Sequence, residues 1–235
     1  MRSSPAGSNC RWLACGVLLA MGAAGLMHGC NIVGPIAVLA SPPPTQDAEY
    51  KMADRVTAVY VDDRKNVLND RGLRMFIGDR VLEHLMRNKV LKDSIKTSNT
   101  MAAAGSERAG ALKPLEQIGR EVGAAQLIYV EMLSFGLEPD ASGAPRAQAT
   151  LRVKLIDVEN RVRLFPPTGE DVADARYMTV TLPPEQTYQP VLTRASQAEA
   201  NRTLAEMIAD RVAKLFYKWE VRPLGDNSAP KSAFD

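Results

Sequence analysis

Cysteine is absent beyond position 30; the chain's three cysteines are Cys10, Cys15 and Cys30. The roughly 205 residues that follow form no disulfide, supply no thiolate nucleophile and offer no thiolate to a metal. Histidine is almost as scarce, with only His28 and His84, so a zinc site built from His and Cys is excluded by supply. The sequence has no G-x-S-x-G nucleophile elbow, no phosphate-binding P-loop and no G-x-G-x-x-G turn. Charge of one sign is lacking too. Lys and Arg number 29 against 27 Asp and Glu, and Arg2 and Arg11 precede the first apolar run, so the remainder is close to neutral. No basic stripe with interleaved aromatics is present, which argues against nucleic acid as a partner. No internal repeat is visible. What stability the later residues have comes from a hydrophobic core, and their number suffices to build one.

The first forty residues carry an address. Trp12–Leu26 is an uninterrupted run of apolar and small residues, of the length of a secretory core region. It leads into Met27-His28-Gly29-Cys30. This stretch resembles the bacterial lipobox, with Leu26 as the apolar leader and His28 bulkier than the usual residue. The resemblance implies cleavage between Gly29 and Cys30 and diacylglyceryl modification of Cys30. Two or three acyl chains, at about 0.8 kcal/mol per buried methylene, hold a protein on a membrane where one does not. Two other readings fit the same residues: a secretory peptide cut elsewhere, and an uncleaved membrane helix over Trp12–Ala40. Each retains Arg2 and Arg11 inside and exports the rest. Asn31 after Cys30 is not the aspartate associated with inner-membrane retention, which leans the expectation towards the outer membrane.

The exported part divides as follows. Residues 30–52 read as the lipidated cysteine and a tether, because Ser41-Pro42-Pro43-Pro44 favours extended geometry. Residues 53–222 read as one domain, and residues 223–235 as a flexible tail. Arg55–Val61 is β-branched and aromatic, a buried strand. The polar segment Asp62–Asp70 follows, and Leu73, Ile77, Val81 and Leu85 then recur every four residues, as on a helix with one buried face. Leu91–Thr97 is a weak strand, and Met101–Lys113 a loop or short helix. Pro114 suits a helix first turn, with Leu115, Ile118 and Val122 as its stripe and Gly123 as its C-cap. Gln126–Leu133 is strongly β-prone. In Arg146–Val158 the residues Ala147, Ala149, Leu151, Val153 and Leu155 alternate, as in an antiparallel strand with one wet side. A turn at Glu159-Asn160 leads to Arg161–Phe165, and Tyr177–Leu182 is a further strand. Ala198–Trp219 reads as a long closing helix with Leu204, Met207, Ile208, Val212, Leu215, Phe216 and Trp219 on one stripe. These elements predict an α/β fold that leans towards α+β, with a mixed sheet of about four to five strands packed by two to three helices.

Two segments then carry a resemblance. Ile118-Gly119-Arg120-Glu121-Val122-Gly123-Ala124-Ala125 feeding Leu127-Ile128-Tyr129-Val130, and Leu151-Arg152-Val153-Lys154-Leu155-Ile156-Asp157-Val158 before a turn, are similar to motifs of an envelope α/β family. That family includes the TolB amino-terminal domain, the CsgG curli-secretion lipoprotein and the LpoB-like and PelC-like lipoproteins. The resemblance covers roughly residues 55–219. It implies a non-catalytic module that binds or assembles envelope proteins. The long membrane-hairpin insertions of the CsgG pore are not evident.

Few residues offer chemistry. His84 falls within the Leu73–Leu85 stripe, where a core or core-edge position is expected rather than a general base. Asp62, Asp63 and Asp70, with Asn66, follow a strand and precede a helix, where open sheets often place ligands. A hard cation would take such oxygens. Asp and Asn are equally ordinary turn and cap residues, and Arg64 and Lys65 oppose a cation there, so a solvated loop is expected. Phe216 and Trp219 are expected in the core, with Tyr217 and Tyr188 on a partner surface. The functional expectation is a lipid-anchored, periplasm-facing binding or assembly module that is not an enzyme and needs no cofactor. The membrane through Cys30 and envelope proteins are its partners, with a homo-oligomer also compatible. The alternatives are a subunit of a homo-oligomeric export or secretion ring, and a hydrolase using the Asp62–Asp70 loop.

Overall fold

The computed structural model describes residues 44–105, 112–139, 145–169, 173–183 and 194–221. Gly29, Cys30, Asn31 and Tyr188 lie outside the described residues. The chain divides into Thr45–Trp219 and a second unit made of residues 1–44 and 220–235, and the former carries the fold.

Its sheet has six strands: β1 (Thr57–Asp62), β2 (Ser94–Ile95), β3 (Gln126–Pro139), β4 (Pro145–Asp157), β5 (Val162–Phe165) and β6 (Arg176–Thr181). Among the described residues four helices accompany them: α1 (Arg71–Arg87), α2 (Thr97–Gly105), α3 (Leu115–Glu121) and α4 (Arg194–Ala213). The strand order is β2-β1-β3-β4-β5, and β6 also pairs with β4. β1 runs parallel to β2 and β3, while β3–β4, β4–β5 and β4–β6 are antiparallel. The fold is therefore α/β with a mixed sheet. No helix among the described residues is long and apolar enough to cross a membrane.

β1 is buried at every position, which is why its sequence is a near-continuous apolar run rather than an alternation. On one face Val59, Val61, Ile128, Val130, Leu151 and Val153 meet Ile77, Val81 and Leu85 of α1 and Leu204, Ile208 and Val212 of α4. On the other, Ala58, Tyr60, Leu127 and Tyr129 meet Ala104 of α2 and Ile118 of α3. α1 starts where the Asp70 side chain accepts the Gly72 amide at 2.7 Å, satisfying one of the unpaired donors of its first turn. α3 stops at Gly123, whose φ of +77° is the left-handed geometry that suits glycine at a helix end.

Several expectations change. β3 runs six residues beyond Leu133, through a bulge between Met132 and Ser134. Of the loop or short helix expected over Met101–Lys113, the helix is what forms, as α2, and it starts earlier, at Thr97. The closing helix spans Arg194–Ala213 and turns at Lys214, so Trp219 is not on it. Leu215 and Phe216 nevertheless reach the core, with Phe216 edge-on to Phe165 at 5.8 Å. Trp219 does not. It stands partly exposed, with Lys214 Nζ 4.5 Å and the Arg211 guanidinium 5.9 Å from its ring centre. Tyr217 is half-buried against the core, and burial, with the Asp210 charge, pushes its hydroxyl up to about 12. In the stretch read as tether, Tyr50 donates its amide to the Leu215 carbonyl at 3.0 Å, and Met52 is buried in the core.

Candidate functional site

The three aspartates weighed as a ligand loop, with a solvated loop expected, do three separate things. Asp62 ends β1 and is 1% exposed, and Asp63 is buried beside it, so neither belongs to a solvated loop. Asp63 turns to the chain that follows it, accepting the Val67 amide at 2.7 Å and the Leu68 amide at 3.1 Å. Asp70 is the exposed cap of α1. Neighbouring residues of a strand point to opposite faces, which separates Asp62 from Asp63. Among the described residues no group of three or more His, Cys, Asp or Glu is placed to hold a metal ion.

Asp62 instead enters a cluster that the sequence reading missed. Its Oδ2 accepts from Arg64 Nε at 2.6 Å and from the Tyr129 hydroxyl at 2.8 Å. Tyr129 Oη also lies 3.1 Å from Glu131 Oε2, which accepts from Arg152 Nε at 2.5 Å. Arg152 Nη1 reaches the Tyr177 hydroxyl at 3.4 Å. A phenol has one proton, so Tyr129 donates to one of the two carboxylates at a time. Burial above all, and then the Asp62 charge, hold that phenol protonated far above its ordinary range. Burial pushes the Glu131 carboxyl up, but the hydrogen bonds from Arg152 and Tyr129 outweigh it and hold it below the usual carboxylate range. The Glu131 hydrogen bond, with help from Tyr177, keeps Arg152 charged well beyond ordinary pH.

Each acid is thus matched by an arginine at hydrogen-bond distance, and the bridging tyrosine is held neutral. Such an arrangement is poorly suited to proton abstraction, which needs a group whose pKa is tuned near the working pH. It is well suited to presenting rigid side chains. Asp62 is buried and Glu131 partly so, while Tyr177 is 48% exposed and Arg64 is exposed. Arg152 side-chain exposure is 29%. The outward layer is therefore two guanidinium groups and a phenol standing on a paired, largely covered base.

His84 lies beside the apolar stripe of α1 rather than within it. Its side chain is 15% exposed, with Nε2 3.4 Å from Glu206 Oε1 on α4. Arg80 Nε takes the other oxygen of Glu206 at 2.7 Å, so His84 joins a polar seam between two helices. None of the clefts of about 450, 650 and 440 Å³ on this unit is lined by Asp62, Asp63 or His84.

No protein-family profile and no curated protein matches the chain. Solved structures similar to it include the PelC dodecamer from Paraburkholderia phytofirmans, at 12% identity and a TM-score of 0.38 over 75% of this chain and 95% of that one. The LpoB C-terminal domain from Salmonella enterica is 12% identical with a TM-score of 0.35, over 57% of this chain and 88% of that one. A lipoprotein from Neisseria meningitidis is 11% identical with a TM-score of 0.37, over 63% of this chain and 97% of that one. All three scores are below 0.5.

Proposed function

We propose that this chain is a lipid-anchored binding or assembly module of the bacterial envelope, held to the membrane through Cys30 and facing the periplasm, and that it is not an enzyme. The signal-like run ending at Gly29-Cys30 supports the anchor, and Asn31 favours the outer membrane. The observation that carries the binding role is the row Asp62–Glu131–Arg152–Tyr177. Its acids are consumed by internal partners while Arg152 and Tyr177 face outward. Tyrosine and arginine on a rigid base are the residue types that dominate protein–protein binding energy. Arg64, above Asp62, extends the same surface.

Two measurements test this reading. Cys30→Ser is expected to abolish acyl labelling, and labelling that persists in that variant ends the anchor proposal. Tyr177→Ala removes an exposed ring, so the unfolding free energy from urea titration should move by no more than about 0.5 kcal/mol. It should nevertheless weaken capture of the envelope partner crosslinked to the native lipidated protein by about ten-fold or more, the scale of a hot-spot residue. Undiminished capture by a folded Tyr177→Ala protein would remove this face from the binding role.

A further inference from the structure

The outer edge of β6 carries a second inference, which rests on reading the chain as a binding module. Two other strands at the margins of the sheet are short, β2 with two residues and β5 with four. β6 has six, Arg176-Tyr177-Met178-Thr179-Val180-Thr181, and pairs with β4 along one side only. Among the described residues no strand pairs with its other side. Exposed edges are ordinarily blunted by proline, lysine or a bulge, and β6 has none of these in its pairing with β4. Its one charge, Arg176, is engaged by Glu49 through two bonds of 2.7 and 2.9 Å and also donates to the Tyr177 carbonyl at 2.7 Å, which leaves the edge open beyond Tyr177. The strand is rich in β-branched and aromatic residues, which favour an added neighbour.

All six residues line a cleft of about 450 Å³ whose other wall includes Met207, Arg211, Lys214 and Trp219. Charge in that wall is unevenly answered. Lys214 Nζ is 2.6 Å from Asp210 Oδ2. Arg211 is exposed, stands over the Trp219 ring and has no carboxylate partner among the described residues. Met207 and the indole supply apolar surface beside it. An occupant that satisfies the whole cleft pairs its backbone with β6, sets apolar side chains against Met207 and Trp219, and brings a carboxylate to Arg211.

We infer that the β6 edge, walled by Arg211 and Trp219, binds an extended acidic segment of a partner protein by strand addition. Main-chain pairing supplies the affinity, and alternate side chains, with a carboxylate at Arg211, supply the selectivity.

The test uses the full-length lipidated protein in detergent micelles and a labelled, blocked hexapeptide Val-Thr-Glu-Thr-Val-Thr, which sets valine and glutamate on one face of an extended strand, followed by fluorescence anisotropy. Saturable binding is expected. A strand donates alternate amides to its neighbour, so N-methylation of one alternating set should weaken binding roughly ten-fold or more, while the other set is tolerated. Exchanging glutamate for lysine in the peptide should weaken it, and so should Arg211→Glu, by about five-fold. Arg211→Lys keeps the charge and should keep the binding. Arg211 is exposed, so an unchanged thermal midpoint certifies that the reversed variant is folded. The inference is overturned by an absence of saturable binding, by equal effects of the two methylated sets, or by indifference to Arg211→Glu. It is equally overturned if light scattering shows a second copy of this chain filling the edge and excluding the peptide. Should the peptide fail while capture of the Tyr177-dependent partner persists, the edge is wrong and the binding module stands.

Discussion

Gly119 is the position where a single methyl group should be felt most clearly. It sits inside α3, and a Cβ built on it would lie 2.4 Å from Val158 Cγ2, 3.2 Å from Cγ1 and 3.4 Å from Cβ. Carbon atoms pack at about 3.5–4.0 Å, so the first contact overlaps by more than about 1 Å. Two effects of Gly119→Ala oppose each other. Helix propensity favours alanine by about 1 kcal/mol, whereas forcing a methyl into a packed interior costs about 1–3 kcal/mol. Val158 is 3% exposed and its backbone is fixed by a 3.0 Å bond from its amide to the Ala125 carbonyl, so it has little room to yield. The upper part of the range then applies, and a net loss of about 1–2 kcal/mol is expected. For a domain of this size that lowers the thermal midpoint by about 3–6 °C. Urea and thermal unfolding followed by far-ultraviolet circular dichroism would measure it. Val158→Ala removes both crowding methyls, so the double variant should be more stable than the sum of the two single losses by about 1 kcal/mol. A raised midpoint for Gly119→Ala, or strict additivity in the double variant, would refute the close approach of α3 to the turn after β4.

Two further outcomes follow from the packing and the charges. Phe216→Ala should cost about 3–5 kcal/mol in urea unfolding, because the ring is 2% exposed and edge-on to Phe165; a midpoint that barely moves would show the chain after α4 undocked. Asp157 accepts the amides of Glu159 and Asn160 at 3.0 and 2.9 Å and pairs with Arg55 at 2.8 Å. The Asn160 amide first, with Arg55 adding to it, lowers its pKa from 3.8 to about 2. A depressed carboxylate stabilises the fold above its unfolded value, and that contribution is lost as pH falls through the folded one. Asp157→Asn should therefore be less stable near neutrality and lose less stability than the parent on acidification through that window; parallel acid curves for the two proteins would count against it.

The elements that burial dictates were readable from the residues. A central parallel strand covered on both faces needs an apolar run, and Thr57–Asp62 is one. A half-covered antiparallel strand needs alternation, and Ala147, Ala149, Leu151, Val153 and Leu155 are all buried on β4. Periodicity failed where burial is not apolar. Helix α2 buries Thr97 and Thr100, and the Thr100 hydroxyl lies 2.7 Å from the Val59 carbonyl, so its inward face carries hydroxyls that no apolar pattern reports. It failed again at the end of α4. Leu215 and Phe216 continue the helical spacing in sequence, but the chain turns at Lys214 and still buries both. Only Trp219, left beside two cations, reveals the difference.

The functional row was illegible for a different reason. Asp62 stands opposite Glu131, Glu131 opposite Arg152, and Arg152 opposite Tyr177. Those four residues span more than a hundred positions of sequence and become neighbours only when three strand registers are fixed together. A shift of one residue in any of them would move a whole strand's side chains to the other face. Asp62 and Asp63 are adjacent in the chain and therefore looked like partners, yet the same alternation that aligns Asp62 with Glu131 turns Asp63 away. The one sequence signal was Arg152 and Lys154 falling between the apolar residues of β4, which marks a polar face without saying what it meets. Electrostatics then supplies the meaning. Two acids on neighbouring strands of one face would repel each other unless a cation stood close to each, and Arg64 and Arg152 stand there. That neutralisation fixes the arginines from beneath, so their remaining donors and the Tyr177 ring are presented outward with little freedom left to lose on binding.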